Sequence, residues 1–167
     1  MDLKRTCWPP VLAWCLALSL LALAGCGSEK GAAWKLWGFE THSFTVGDEE
    51  IEMRLDTSGP GRYGVELSDD MILIFRDDEA IMEGYFPMDD YEALRQDCLS
   101  AADCQIIEGQ EDGAPEMLYR VPDGDSYTFL SQISGSSSAA LFSVPGTVPA
   151  EEALDRAHRL QFTKLGD

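Results

Sequence analysis

Gly59-Pro60-Gly61-Arg62-Tyr63-Gly64 has the G-x-G-x-x-G spacing with which backbone amides cradle a pyrophosphate. That chemistry needs a strand before the loop and a helix after it. Here the residues that follow, Tyr63, Val65 and Leu67, alternate as a strand does, and Pro60 removes one amide donor. The segment therefore reads as a glycine-rich connecting loop. Ser134, Ser136, Ser137 and Ser138 cluster in a turn without the G-x-S-x-G context of a nucleophilic serine. The two histidines, His42 and His158, lack the spacing of a metal-binding pair. No catalytic residue, metal ligand or cofactor is assigned from these groups.

Acidic side chains dominate the rest. There are 30 Asp and Glu against 12 Lys and Arg, a formal net charge of -18. So negative a surface repels nucleic acid and anionic membrane faces, and attracts cations or basic partners. Asp69-Asp70, Asp77-Asp78-Glu79, Asp89-Asp90 and Asp123-Gly124-Asp125 are candidate cation contacts, but none has the spaced oxygen pattern of a calcium loop. They read first as solvated turns. A carboxylate pair assembled by the fold, as in glycosidases, stays open, because such pairs have no spacing signature.

Lys4 and Arg5 precede an uncharged, strongly apolar run from Val11 to Ala24, the pattern of a secretory signal. An uncleaved membrane helix is the alternative reading. Leu23-Ala24-Gly25-Cys26 closes the run and resembles the bacterial lipobox. The resemblance implies that residues 1–25 are a signal peptide, and that the Cys26 thiol is diacylglyceryl-modified before cleavage. It also implies that the acylated Cys26 holds the protein to a membrane on the extracytoplasmic side. Two or three acyl chains anchor firmly where one is marginal. Residue 27 is Gly, not the Asp that in this family retains proteins at the inner membrane, which favours the outer membrane in a diderm cell. Residues 26–33 form a small polar tether, reaching roughly 25–30 Å when extended.

With Cys7 and Cys15 in the leader and Cys26 carrying lipid, Cys98 and Cys104 are the remaining thiols. In an oxidising compartment they are expected to pair as a disulfide. One continuous helix would hold them about 9 Å apart along its axis, beyond the roughly 7 Å limit of a bridged pair. The helix carrying Cys98 must then end near Leu99–Asp103. Two reduced, buried thiols are the alternative. Trp34, Trp37 and Phe39 follow the tether and read either as a first strand or as a partner contact.

The elements that must position these groups follow from periodicity. His42–Val46 and Ile51–Leu55 alternate as a hairpin, Tyr63–Leu67 as a short strand, and Met71–Phe75 reads as a central strand paired with Ala80–Phe86. Asp89, with Glu92 three residues on, suggests a capped helix presenting Tyr91, Leu94 and Cys98. Four segments, Gln105–Ile107, Glu116–Val121, Tyr127–Ile133 and Ala139–Val144, form an antiparallel meander separated by turn residues. Pro149–Arg159 is a second helix. The expectation is one α+β domain over residues 34–167, an antiparallel β-sheet covered by two main helices. The order of elements resembles the PsbP-like α/β/α sandwich found also in small DcrB-type lipoproteins, which implies a non-enzymatic accessory or binding role. The expected function is a membrane-anchored, non-catalytic binding or accessory module of the cell envelope. Its partners would be the membrane through the lipid and an unidentified envelope protein or ligand. The alternatives are a small hydrolase using fold-assembled carboxylates and a weak divalent-cation binder.

Overall fold

The computed structural model describes residues 38–68, 71–121 and 124–166. Cys26, Trp34, Trp37, Asp69, Asp70 and Asp123 lie outside them. Ten strands run in chain order: β1 (Phe39–Val46), β2 (Glu49–Asp56), β3 (Tyr63–Ser68), β4 (Met71–Arg76), β5 (Glu79–Tyr85), β6 (Gln105–Glu108), β7 (Glu116–Arg120), β8 (Ser126–Gln132), β9 (Ala139–Pro145) and β10 (Leu160–Leu165). Two helices, α1 (Tyr91–Ser100) and α2 (Ala150–Ala157), interrupt them.

The strands form two antiparallel sheets, one of three strands in the order β1-β2-β10 and one of seven in the order β3-β4-β5-β9-β8-β7-β6. They face each other across one core. Ile51, Met53 and Leu55 of β2, with Leu160 and Phe162 of β10, meet Ile72, Ile74, Phe129, Phe142 and Val144 of the larger sheet. This is a β-sandwich arrangement, and it corrects the expected sheet covered by two main helices. The layer opposite the large sheet is mostly another sheet. The correction turns on β10, whose Leu160 and Phe162 point inward while Gln161 and Thr163 point out. It starts two residues beyond α2, and its partner β2 lies over a hundred residues earlier.

The helices are short and play separate parts. α2 lies on the inner side, with Ala153 and Ala157 in the main core. α1 covers the outer face of β6–β9 through Tyr91 and Cys98, which meet Met117, Leu130 and Ala139. That cover makes β8 buried on both faces, with Phe129 inward and Leu130 under α1. The segment Met71–Phe75, expected to be central, is second from an edge in β4; β9 holds the middle place. The first helix is capped by Asp90 rather than Asp89, and the expected capping box is not made. Asp90 instead accepts from Ser137 Oγ at 2.6 Å, and Glu92 accepts from Gln96 at 2.7 Å.

The two ends of the sandwich can be told apart by their loops. Gly38, where the described chain enters β1, bonds Thr57 through its carbonyl and sits against Ser58. At this entry end Arg159 donates to Ser58 O at 2.6 Å and lies over the Tyr63 ring at 5.1 Å. Arg156, itself buried, donates to Ile81 O at 3.0 Å and to Glu152 at 2.6 Å. Ile81 is the extra residue of a β-bulge between β4 and β5. Arg76 reaches Glu152 at 3.6 Å. The opposite end carries the β1–β2 turn, the segment after β5, the β8–β9 turn and the end of β10.

Candidate functional site

At the end away from Gly38 the two sheets part around a cavity of about 650 Å³. Its lining is Phe44, Thr45, Val46 and Gly47 from β1 and its turn, Leu67, Met71 and Ile72 from the β3–β4 hairpin, Tyr85 at the end of β5, and Phe86 and Met88 after it. None of these side chains is charged. The floor is a chain of rings. Phe44 meets Phe86 at 5.2 Å between centroids, Phe86 stands edge-on to Phe162 at 5.9 Å, and Phe162 reaches the buried Phe142 at 5.5 Å. The mouth is exposed. Met88 is 89 % accessible, Leu67 56 % and Tyr85 40 %, three of the four exposed large apolar residues among the described residues. Three exposed apolar side chains, each costing free energy in water, thus gather at one opening.

A polar brace holds one side of this end. Glu49, at the start of β2, accepts from Ser136 Oγ, from Ser138 Oγ at 3.1 Å and from Lys164 Nζ at 2.8 Å. These bonds hold its carboxyl below the ordinary range, the Lys164 bond contributing most. Ser136 and Ser138 thus tie the β8–β9 turn to the small sheet, their hydroxyls donating to the Glu49 carboxylate.

The other candidate groups are placed apart from the cavity. Phe39 begins β1 at the entry end, on the outer face of the small sheet beneath the Arg54 guanidinium at 4.8 Å. Gly59–Arg62 is latched onto the β4–β5 turn. Arg62 N donates to Asp77 Oδ1 at 2.9 Å, its guanidinium pairs with Asp78 at 3.1 Å, and a Cβ on Gly61 would strike Asp77 and Arg76. Two carboxylates occupy the surroundings where a phosphate would have to sit. Asp77 and Asp78 adopt positive φ, 53° and 68°, as a tight hairpin turn requires. His42 is hydrogen-bonded to the buried Glu40 at 3.2 Å, and His158 lies 3.3 Å from Glu108.

Among the described residues no group of three His, Cys, Asp or Glu side chains is placed to hold a metal ion. Glu116 is the one described carboxylate pushed upward, by burial first, with His158 opposing and Glu108 adding to the shift. It lines none of the cavities described here.

Cys98 and Cys104 line one smaller cavity, about 370 Å³, with Leu94, Tyr119 and Val121. Their sulfurs lie close enough to interact and are not bonded to each other in this structure. α1 ends at Ser100 and β6 begins at Gln105, the boundaries a bridge would need. Burial, and then the neighbouring Cys104, push the Cys98 thiol up to about 12.

Sequence reasoning missed the cavity residues. Two of them carry a local signal. Met88 is a bare apolar side chain between Pro87 and Asp89, and Leu67 stands just ahead of the acidic pair Asp69-Asp70 in sequence. It also missed Arg95, which is buried on the α1 face between Tyr91 and Cys98. Arg95 donates to Glu111 O at 2.5 Å, beside the Tyr91 hydroxyl that donates to Ala114 O at 2.6 Å, so the two fix the β6–β7 connection. Comparison with known proteins gives no match to a family model, a curated protein or a solved structure.

Proposed function

We propose that this protein is a lipid-anchored, extracytoplasmic binding module that acts without catalysis, and that its ligand-facing part is the apolar cavity between Phe44, Leu67, Tyr85, Phe86 and Met88. The observation that carries the reading is the cavity itself: an uncharged, aromatic-floored opening with three exposed large apolar side chains on its rim. The lipobox-like Leu23-Ala24-Gly25-Cys26 supports the anchor, and the acidic composition suits a crowded surface protein. Gly38 enters the fold at the other end of β1, about 23 Å along the strand from Val46.

Two measurements test the two halves. Full-length protein from membranes should carry acyl chains on Cys26, and Cys26→Ser should leave an uncleaved, unlipidated precursor. An unmodified leader in the intact mass would sink the anchor. A neutral solvatochromic dye such as Nile red should bind the same protein saturably, with affinity lost in the Leu67→Ser/Met88→Ser double variant. Equal dye binding in wild type and variant would sink the cavity reading.

A further inference from the structure

We infer that the cavity takes an extended segment of another polypeptide, one whose large apolar side chains are flanked by lysine or arginine. This rests on the reading of the cavity as the ligand-facing part, and deepens it by naming the chemistry of the occupant. Two features separate from the apolar lining point there.

The first is charge. Two of the turns that form the mouth carry an acid next to a lining residue: Asp48 after Gly47 and Asp89 after Met88. Both are exposed. The basic side chain at this end, Lys164, is held by Glu49 at 2.8 Å and so offers no free positive charge. An apolar ligand entering here is selected by a negative rim, which attracts cationic flanks and repels anionic headgroups.

The second is backbone. β1 and β3, the two strands that bring Phe44 and Leu67 to the mouth, are edge strands of their respective sheets. Each leaves one row of amides and carbonyls without a strand partner among the described residues. A peptide can satisfy those groups by strand addition while alternate side chains enter the cavity. A lipid chain cannot. Met71 and Met88 in the lining adapt to side chains of differing shape.

The test uses the full chain from membranes, held in neutral phosphatidylcholine nanodiscs. The probes are a fluorescent Lys-Leu-Lys-Phe-Lys-Leu-Lys peptide and its counterpart with every Lys replaced by Glu, read by anisotropy at low and high salt. The lysine peptide should bind at least about tenfold tighter than the glutamate one. That preference should shrink as salt screens it. Leu67→Ser/Met88→Ser should weaken lysine-peptide binding by about tenfold, and both positions are exposed enough to keep the fold.

Saturable Nile red binding with no discrimination between the two peptides would overturn this inference and leave the cavity reading standing. Absence of both dye and peptide binding would overturn both. Capture of anionic phospholipid vesicles in preference to the lysine peptide would replace the peptide by a lipid surface. A dimer in sedimentation that neither peptide dissociates would replace it by a second copy of this chain.

Discussion

The two ends of the sandwich solve the same problem in opposite ways. At the entry end the gap between the sheets is closed by arginines: Arg159 over Tyr63, and Arg156 on the bulged Ile81 carbonyl, with Glu152 between Arg156 and Arg76. Their aliphatic stems cover apolar surface while their guanidiniums satisfy backbone carbonyls and carboxylates. At the other end the rings of Phe44 and Phe86 are left facing an opening with no arginine over them. A fold that can seal one end this fully has no packing reason to leave the other open. On the proposed reading, stability is concentrated at the first end and recognition at the second.

Substitutions should separate the two ends, and the largest effect belongs between them. Gly84 in β5 lies against Phe142, and a Cβ there would overlap the ring. Gly84→Val should cost about 3 kcal/mol or more by displacing the ring that anchors the aromatic floor. Denaturant unfolding measures it, and a loss under about 1 kcal/mol would mean that the floor can shift freely.

Arg156→Ala at the sealed end should cost about 2–4 kcal/mol, since it leaves the Ile81 carbonyl and Glu152 without their donor. Met88→Ser at the open end should change stability by less than about 0.5 kcal/mol. Equal losses from the two would erase the contrast. The Cys98–Cys104 pair lies at the end of α1, on the outer face. If it is bridged, reduction should remove about 2–2.5 kcal/mol. Thiol labelling of the protein unfolded without reductant reads this out, and two reactive thiols would rule the bridge out.

The smallest effect is in acid. Lys164 and Ser136 hold Glu49 low, and Arg156 does the same for Glu152. Each therefore adds stability that is fully present above the ordinary carboxylate value and is lost as pH falls through the depressed folded one. Glu116 is raised, so it opposes them: ionising it as pH rises through its elevated value weakens the folded state. Glu49→Gln should flatten the acid limb of a denaturation-midpoint profile, while Glu116→Gln should flatten the part just above the ordinary carboxylate value. An unchanged acid limb in Glu49→Gln would remove the brace from the account of the open end.

Much of the secondary structure was legible because alternation reports burial on one face. The β1–β2 hairpin, the β4–β5 pair and the four-strand meander all follow the pattern of their residues. What the pattern cannot carry is which sheet a strand joins. β1 and β2 read as strands, yet only the distant β10 makes them a separate layer. Leu160–Leu165 was left without an element because it follows so closely on the helix, a single turn-like step, His158-Arg159, dividing them. The cavity was illegible for a related reason. Its lining comes from the ends of β1, β3, β4 and β5, and each contributes residues that look like ordinary strand termini. Arg95 stayed hidden because a charged residue on a helix face is ordinarily solvated, and here the β6–β7 connection folds over it.

The pairing of β2 with β10 also sets a clock. Leu55 opposes Leu160, so one wall of the sandwich cannot zip until nearly the whole chain between them is available. Closing so long a loop costs entropy before any contact rewards it, and contacts of this range slow the search for the native state. A chain emerging N-terminus first can build its β3–β5 and β6–β9 meanders early, but its third layer waits for the last strand. Until then Ile51, Met53 and Leu55 lack the β10 neighbour that shields them. Refolding followed by a probe on the small sheet should therefore lag behind one on the meander.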